Sequence, residues 1–303
     1  MLKKLFQSFR TPVRRTQHIR STPEVLNSGQ HSLQKTQFSR YAVNIVERLQ
    51  GAGYQAYLVG GCVRDLLLDI DPKDFDVATS ATPEQVRAEF RNARVIGRRF
   101  KLVHVHFGRE IIEVATFRAN HPQGDEDEDS NLSSRNESGR ILRDNVYGSL
   151  EDDAQRRDFT INALYLDASC ERILDYANGV HDIRNRLIRL IGDPEKRYQE
   201  DPVRMLRAVR FAAKLDFDIE KHSAAPIPHL ARLLHEIPSA RLFDEVLKLF
   251  LAGNAEHTFE LLLEYNLFAP LFPAAAAALK AAPAATWVNA RRFISKRLHR
   301  GAV

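Results

Sequence analysis

The sequence has little cysteine and no long run of apolar residues. Its 303 residues include two cysteines, Cys62 and Cys170, which lie far apart and belong to no metal-binding spacing. A disulfide scaffold and a cysteine-based zinc site are therefore excluded, and a reducing compartment is favoured. No stretch reaches the roughly 18 consecutive apolar residues of a membrane-spanning helix, which excludes an integral membrane protein. Hydrophobic residues at 44% and charged residues at 27% predict an ordinary globular chain of one large or two modest domains.

The net charge is small and unevenly distributed along the chain. Lys and Arg outnumber Asp and Glu by 44 to 39, which gives a net charge of +5. No acidic residue precedes Glu24, and none occurs in residues 274–303, so both ends of the chain are basic. Basic ends favour contact with a polyanion. The alternatives are solvated termini and, for the N-terminal segment, an organellar transit peptide, which the lack of an amphipathic period disfavours.

The predicted secondary structure changes character near residue 180. Helical spacing predicts a helix over residues 39–50, and strand patterns predict strands over 54–59, 74–79, 102–107 and 110–116. A capping box predicts the start of a further helix at residues 82–85. Residues 159–166 and 172–176 are expected to be extended or mixed, and only helices are expected from His181 onward. This order predicts an α+β fold, with a mixed-sheet head followed by an all-helical domain. The acidic run at residues 125–129 lies in a polar stretch, 120–140, that predicts a disordered surface loop.

A glycine pair follows a predicted strand and opens a short helix in the segment Leu58-Val59-Gly60-Gly61-Cys62-Val63-Arg64-Asp65. Backbone N–H groups at the start of a helix carry partial positive charge, and a phosphate group binds there. Arg64 falls on the first turn, where it adds a positive charge. Two glycines after a strand also form an ordinary turn, so the pair by itself leaves both interpretations open.

Three carboxylates are candidates for a divalent-cation site. Asp74 and Asp76 flank Phe75 in a predicted strand, so both acids are expected on one face and Phe75 on the other. A divalent cation relieves the repulsion between them, and hard oxygen ligands suit Mg²⁺. Glu113 lies within an apolar strand, where a charge is costly unless it is paired or bound to a metal. The alternative for each acid is a solvent-facing position.

Two further sequence blocks narrow the interpretation of the glycine pair and the acidic residues. Residues 156–163 read Arg-Arg-Asp-Phe-Thr-Ile-Asn-Ala, and residues 200–207 read Glu-Asp-Pro-Val-Arg-Met-Leu-Arg. Together with the glycine pair and Asp74-Phe75-Asp76, in this order, they resemble the motifs of the nucleotidyltransferase superfamily that shares the DNA polymerase β-type palm. They are similar to its class II branch, which contains CCA-adding tRNA nucleotidyltransferases and bacterial poly(A) polymerases.

The spacing of the charged residues in the block at residues 200–207 is informative even without the resemblance. Asp201 and Arg204 lie three residues apart, so we expect them to form an ion pair on a helix that Asp201 caps. Arg207 and Arg210 continue the basic stripe along the same side. The resemblance implies that the Asp201–Arg204 pair contacts the edge of the incoming base, so that protein rather than nucleic acid acts as template.

The resemblance also implies a reaction, in which an RNA 3′ hydroxyl attacks the α-phosphate of ATP and pyrophosphate leaves. Asp74 and Asp76 are expected to hold two Mg²⁺ ions, and either Asp158 or Glu113 is the third active-site carboxylate. The nucleotide-binding residues that it implies are Gly60, Gly61, Arg64, Arg157, Asn162, Asp201, Arg204, Arg207 and Arg210.

One element distinguishes the two class II activities. Residues 95–105, Val-Ile-Gly-Arg-Arg-Phe-Lys-Leu-Val-His-Val, resemble a segment that marks the bacterial poly(A) polymerases and that CCA-adding enzymes lack. Arg98, Arg99 and Lys101 in this element are expected to bind RNA. Template-independent polyadenylation in mRNA processing and decay is therefore predicted. CCA addition to tRNA is the first alternative, and an RNA-binding remnant without transferase activity is the second.

The resemblance divides the chain into four parts and ends near Pro273. We expect a basic, flexible arm over residues 1–40 and a nucleotidyltransferase head over 41–180. A helical, nucleobase-binding neck is expected over 181–273, and an Ala-rich basic tail over 274–303 replaces the family's helical body. The expected partners are RNA 3′ ends, ATP and RNA-decay proteins, without a membrane, and the expected location is the cytoplasm.

Overall fold

Twelve strands and thirteen helices are present in the part of the chain that the computed structural model describes, namely residues 19–97, 101–119, 133–135, 141–144, 146–169 and 171–281. The strands are β1 (Glu24–Leu26), β2 (Ala56–Val59), β3 (Asp76–Thr79), β4 (Ala93–Ile96), β5 (Leu102–Phe107), β6 (Glu110–Thr116), β7 (Ser133–Arg135), β8 (Ile141–Asp144), β9 (Leu164–Asp167), β10 (Arg172–Asp175), β11 (Leu187–Ile188) and β12 (Asp218–Ile219). The helices are α1 (Arg40–Gly51), α2 (Gly61–Leu67), α3 (Pro83–Glu89), α4 (Leu150–Arg156), α5 (Gly179–Arg184), α6 (Pro194–Glu200), α7 (Val203–Leu215), α8 (Lys221–Ala224), α9 (Ile227–Leu230), α10 (Ser239–Phe250), α11 (Ala255–Glu264), α12 (Phe268–Leu271) and α13 (Pro273–Ala281).

Eight of these strands form one mixed sheet in the order β1-β10-β9-β2-β3-β6-β5-β4. The pairing of β3 with β6 is parallel, and the other pairings in the sheet are antiparallel. The connection from β3 to β6 runs through α3 and the two strands of the sheet edge, which is how a parallel neighbour is reached. The strands and the following helices confirm the expected α+β fold class.

Local sequence explains several element boundaries. Ser39 caps α1 through its side chain, which accepts a hydrogen bond from the backbone N–H of Ala42. The capping box predicted at the start of α3 forms, since Thr82 and Gln85 exchange hydrogen bonds between side chain and backbone. Gly108 has a φ of 65°, a conformation that glycine adopts without strain, and it occupies the tight turn between β5 and β6.

The two faces of the sheet pack against different partners. On one face, Leu58, Val77 and Val114 belong to the main core, which is continuous from α1 to the helices of the C-terminal half. On the opposite face, a smaller cluster includes Ala78 and Tyr165 and is covered by residues of α4. We call this second face the site face, because Asp76 and Glu113 lie on it.

The structure corrects three details of the predicted secondary structure. The strand expected over residues 74–79 begins at Asp76, so Asp74 and Phe75 precede it. The region expected to hold only helices also contains β11 and β12, which form a short parallel pair. Residues 24–26 of the expected arm form β1, which pairs with β10 at one edge of the sheet. Residues 1–18 and most of the acidic stretch lie outside the described residues.

Helix α7 joins the head to the helical half. Its residues Met205, Leu206 and Val209 are buried in the main core. Phe211 packs edge-on against Phe159 of the head, with ring centroids 5.7 Å apart. Helices α10 and α11 both pack against α7. Helix α7 therefore packs on the head next to Phe159, in the segment that follows α4.

Candidate active site

A single transverse row of side chains crosses the site face. Residues directly opposite each other on neighbouring strands point to the same face, so the strand register defines the row without further assumption. From β1 to β4 the row consists of Val25, Leu174, Tyr165, Val59, Asp76, Glu113, His104 and Arg94. Its first half is apolar or aromatic, and its second half is acidic and then basic. The candidate carboxylates lie at the boundary between these halves.

Asp76 occupies the first position of β3, opposite Val59, the residue that precedes the glycine turn. Burial and the neighbouring negative charge of Glu113 raise the pKa of Asp76 from 3.8 to about 6, although the charge of Arg157 opposes the shift. Asp74 adds a smaller upward contribution. Three carboxylates therefore act on one another at the end of β3, which is the crowding expected from the sequence.

Glu113 and Asp74 differ in how they are held. Glu113 is paired in register with Asp76, and its Oε1 lies 3.2 Å from Nε2 of His104 on β5. Its side chain is 53% exposed, so it faces solvent from the open part of the site face. Asp74 is exposed in the segment before β3. The sequence places Asp74 and Asp76 on one strand, whereas the structure makes Asp76 and Glu113 the in-register pair.

The donor set at this position fits Mg²⁺. Within the described ranges, no group of three or more His, Cys, Asp or Glu side chains is placed so that it could hold a metal ion by itself. Mg²⁺ is usually bound in an open arrangement, by one or two carboxylates together with waters and substrate phosphates. Two hard carboxylates beside the glycine turn, one of them with a raised pKa, suit that arrangement. The two-ion assignment itself stays a prediction.

The glycine turn is formed as expected, and Arg157 lies against it. Gly60 has a φ of 79°, and a Cβ atom at this position would lie 3.4 Å from Nη1 of Arg157. Asp153 holds this guanidinium by accepting from Nε at 3.1 Å and from Nη2 at 3.0 Å. The buried hydroxyl of Tyr165 accepts from Nε at 3.0 Å and donates to Asp153 at 2.7 Å. Arg157 is thereby held with one edge at the turn.

Arg64 lies beside the glycine turn, where its Nη2 is 3.5 Å from the Cβ position of Gly61, and its other donors bind groups of the protein. It is buried, and Oδ1 of Asp65 accepts from its Nε at 2.8 Å. Its Nη1 donates to Oδ1 of Asn162 at 2.5 Å. The other Asp65 oxygen accepts from Nζ of Lys214 on α7, at 3.1 Å. Arg64 and Asp65 thus connect the helix after the glycine turn to α7.

Asp158 is enclosed by hydrogen-bond donors. Its Oδ1 accepts from the backbone N–H of Phe159 and from Nδ2 of Asn162, at 2.8 and 3.1 Å. Its Oδ2 accepts from Nε of Arg207 at 2.7 Å and also from Nη2 of the same residue. Burial raises the pKa of this carboxyl, but the charge of Arg207 and these hydrogen bonds outweigh burial and lower it to about 2. Asp158 is therefore an anionic anchor between head and α7.

The ion pair expected between Asp201 and Arg204 is absent, and each residue has another partner. The chain is extended at Asp201, which separates α6 from α7. The Arg204 side chain reaches back to α6, where it donates to Oε2 of Glu200 at 3.2 Å and to the carbonyl oxygen of Arg197 at 2.7 Å. Asp201 accepts from Nη2 of Arg241 on α10 at 2.7 Å. The break in the helix at Pro202 is the physical reason for the correction.

The ring of Phe211 is surrounded by guanidinium groups. Arg64, Arg207 and Arg210 lie over it, with Cζ atoms 5.1, 5.5 and 4.8 Å from the ring centroid. Burial and the charge of Arg207 lower the pKa of Arg210. Nε of Arg210 and Oε2 of Glu245 are buried, 3.9 Å apart, and have no hydrogen-bond partner among the described residues. Arg207 and Arg210 of α7 thus lie beside Arg64 of the head, around the ring of Phe211.

The residues expected to bind RNA are only partly described. Arg98 and Arg99 lie outside the described residues. Lys101 is exposed, and its Nζ lies 3.9 Å from Oε1 of Glu84. Their RNA-binding role stays a prediction.

Several partners of the candidate residues were not identified from the sequence. Asp153 supports Arg157, Glu200 binds Arg204, and Arg241 binds Asp201. Asp153 lies four residues before Arg157 on α4, so its i,i+4 spacing was a signal that could have been read. Arg241 lies 40 residues from Asp201, and no local pattern connects them.

Two family models and several known proteins match this chain. Family models described as "Poly A polymerase head domain" and "Probable RNA and SrmB- binding site of polymerase A" match residues 56–189 and 216–279. Poly(A) polymerase I of Salmonella typhimurium is 59% identical over 249 residues, which are 82% of this chain and 53% of that protein. The CCA-adding enzyme of Lactobacillus helveticus is 38% identical over 226 residues, which are 75% of this chain and 53% of that protein.

A solved structure has the same fold. The Bacillus stearothermophilus CCA-adding enzyme in complex with CTP matches with a TM-score of 0.64 and 37% identity, over 76% of this chain and 52% of that chain. The chain spans about half the length of the curated relatives it matches. In the described part of the chain, every helix is too short or too polar to cross a membrane.

Proposed function

We propose that this chain, which belongs to the class II family of poly(A) polymerases and CCA-adding enzymes, adds AMP from ATP to the 3′ hydroxyl of RNA and releases pyrophosphate. The observation that carries this proposal is the in-register pair Asp76 and Glu113 beside the glycine turn at Gly60. It occurs in a chain 59% identical to a poly(A) polymerase I and 38% identical to a CCA-adding enzyme, which favours polyadenylation over CCA addition.

The acidic residues have two different roles in this proposal. Asp76 and Glu113, assisted by Asp74, would hold Mg²⁺, which when bound lowers the pKa of the attacking hydroxyl and neutralises charge on the triphosphate. Burial and the negative charge of Glu113 raise the pKa of Asp76, and a bound cation would relieve the repulsion between the two carboxylates. Asp158 is a positioning residue, since hydrogen bonds within the protein use both of its oxygens.

Basic residues bind and orient the nucleotide. Gly60 and Gly61 let the triphosphate approach the backbone at the start of α2, and Arg157 offers positive charge at that turn. Asp153 and Tyr165 hold Arg157 in place. Asp201, Arg204 and Arg207 would line the base and ribose side of the pocket, with Asn162 and Arg210 behind them. Arg64 would support the same turn, where its Nη1 also donates to Oδ1 of Asn162.

The wider parts of the proposal concern location and partners. We propose that the protein acts in the cytoplasm, which the reducing-compartment cysteine composition supports. Its macromolecular substrate is an RNA 3′ end, supported by the match of residues 216–279 to an RNA-binding region. Association with RNA-decay proteins belongs to the same proposal.

One assay distinguishes the proposal from its alternatives. The purified chain is incubated with Mg²⁺ and each nucleoside triphosphate separately, with either an oligoadenylate primer or a tRNA that lacks its terminal CCA. Extension of oligoadenylate with ATP alone is expected. CTP incorporation onto the trimmed tRNA would instead identify a CCA-adding enzyme, and RNA binding without incorporation of any nucleotide would identify an RNA-binding remnant.

A further inference from the structure

The polar half of the transverse row ends in an arginine, Arg94, to which the proposed reaction assigns no role. The row runs from Asp76 through Glu113 and His104 to Arg94 on β4, the edge strand of the sheet. Because directly paired residues share a face, Arg94 lies on the same face as the two carboxylates. It is exposed, and His104 is partly exposed between it and Glu113.

Arg94 differs from the arginines of the nucleotide side. Asp153 pairs with Arg157, Glu200 with Arg204 and Asp158 with Arg207, so carboxylates already balance these charges. The side chain of Arg94 makes no ion pair or hydrogen bond with the described residues. The guanidinium of Arg94 is therefore available to an anion from outside the protein, and a phosphodiester fits its planar donor geometry.

We infer that this open half of the site face, from Glu113 to Arg94, is the path along which the RNA 3′ end reaches the carboxylates, with Arg94 binding a backbone phosphate of that strand. The inference rests on the proposed function, because it takes RNA as the substrate of this site. Among the described residues, Glu113 and Arg94 are exposed on this face, and α3, which contacts β4, β5 and β6, buries Val86 in the core on the other side of the sheet.

The spacing of the strands says which phosphate Arg94 reaches. Neighbouring strands lie about 4.8 Å apart, so three steps place the backbone of Arg94 about 14 Å from that of Asp76. A stacked nucleic-acid strand rises about 3.4 Å per nucleotide, so this span corresponds to about four nucleotides. A primer with its 3′ hydroxyl at Asp76 therefore has a phosphate near Arg94 only if it is longer than about three nucleotides.

His104 lies between the two ends of this path. Its ring packs edge-on against that of His106, with centroids 6.2 Å apart, and both residues lie on the site face. Flat rings of this kind are surfaces on which an unpaired base stacks. Arg94, the His104 ring and the two carboxylates therefore follow one another along the proposed path.

The test compares Arg94→Gln with Arg87→Gln. Arg87 is also exposed and has no ion pair within the described ranges, but it lies on α3, on the far side of the sheet. Binding of a labelled oligoadenylate is measured by fluorescence anisotropy without ATP, over about 50 to 200 mM salt. Arg94→Gln is expected to weaken binding about fivefold and to reduce the slope of log affinity against log salt by about 0.7, while Arg87→Gln changes neither.

A second experiment tests the predicted distance between Arg94 and the 3′ hydroxyl of the primer. With ATP present, Arg94→Gln is expected to raise KM for the long primer and to leave KM for ATP, and extension of a dinucleotide primer, unchanged. Arg94→Glu is expected to weaken RNA binding further. The inference would be overturned if Arg94→Gln bound RNA as tightly as the wild type, or if Arg87→Gln lost as much RNA affinity as Arg94→Gln. Arg94-dependent RNA binding by a wild-type protein that transfers no nucleotide would support it while contradicting the proposed function.

Discussion

Arg207 of α7 donates two hydrogen bonds to Oδ2 of Asp158, a residue of the head 49 positions earlier in the chain. This ion pair connects the two halves of the molecule at the side of the glycine turn. Since Asn162 and the backbone of Phe159 occupy the other carboxylate oxygen, the Asp158 side chain holds the junction together. Its contribution to activity is therefore expected to act through structure.

Replacement of Asp158 is expected to destabilise the protein more than it changes the chemistry. Asp158→Asn leaves the largely buried Arg207 guanidinium without its counter-charge, so the free energy of unfolding should fall by about 2 kcal/mol, below the ~3–5 kcal/mol of a fully buried pair. Urea unfolding followed by circular dichroism measures this change. Lys35→Gln is the control, because its ion pair with Glu47 is exposed and should contribute less than about 1 kcal/mol.

The same ion pair predicts a dependence of stability on acid. The pKa of Asp158 is lowered from 3.8 in its ordinary state to about 2, so the native state binds fewer protons than the unfolded state in this interval. The stabilisation is fully present above about pH 4 and is lost as the pH falls toward 2. Unfolding free energies of wild type and Asp158→Asn should therefore converge at low pH, and a constant difference would contradict the assignment.

Asp76 is expected to be essential for AMP incorporation. Asp76→Asn keeps the size of the side chain and removes the charge that holds the cation, so incorporation should fall about 100-fold or more while the protein remains folded. A primer-extension gel measures incorporation, and circular dichroism checks the fold. Asp71→Asn, an exposed acid in the segment before β3, is the matched control. An active Asp76→Asn protein would refute the assignment of Asp76 as a metal ligand.

The raised pKa of Asp76 predicts a pH-dependent requirement for Mg²⁺. With a pKa of about 6 in the metal-free protein, protons compete with the cation below that pH. The Mg²⁺ concentration for half-maximal incorporation should therefore rise as the pH falls below about 6 and stay constant above it. The measurement is a Mg²⁺ titration of initial rate at each pH, and a requirement that does not vary between pH 5 and 7 would contradict it.

In the metal-free protein, ionisation of Asp76 should change the free energy of unfolding in the opposite direction to ionisation of Asp158. The native state binds more protons than the unfolded state between the ordinary pKa of 3.8 and about 6, so stability falls as the pH rises through this interval. Asp76→Asn lacks the ionisation and should not show this decline. Unfolding curves of both proteins in the presence of a chelator provide the comparison, with parallel pH profiles as the contradicting result.

The glycine turn predicts separate effects on stability and activity. Gly60→Ala forces a side chain into a positive φ, which costs about 1 kcal/mol or more, and it also places a Cβ atom near Arg157. Gly53→Ala has the same backbone problem at a φ of 90°, but nothing lies within 4 Å of its Cβ position. Both variants should lose stability, because both place a side chain at a positive φ. Only Gly60→Ala is expected to raise KM for ATP, and equal kinetics in the two variants would contradict a role of the turn in binding.

Short-range patterns accounted for much of the fold and for the identity of the candidate residues. The start of α3 was predictable because Thr82, Pro83 and Gln85 lie within one turn and satisfy one another's backbone groups. The strands β5 and β6 were predictable because their alternation has a period of two residues. The extent of the strand at Asp74 was not, since neighbouring strands and not local propensity determine where pairing begins.

The sequence by itself determined which acids and arginines are present and, through their spacing along the chain, the family to which they belong. The tertiary structure alone decided their partners. Asp76 and Glu113 meet through the parallel pairing of β3 and β6, and Asp158 meets Arg207 through the packing of α7 on the head. These contacts join residues that are distant in sequence, and ion pairs and strand register depend on position in space, which no local spacing encodes.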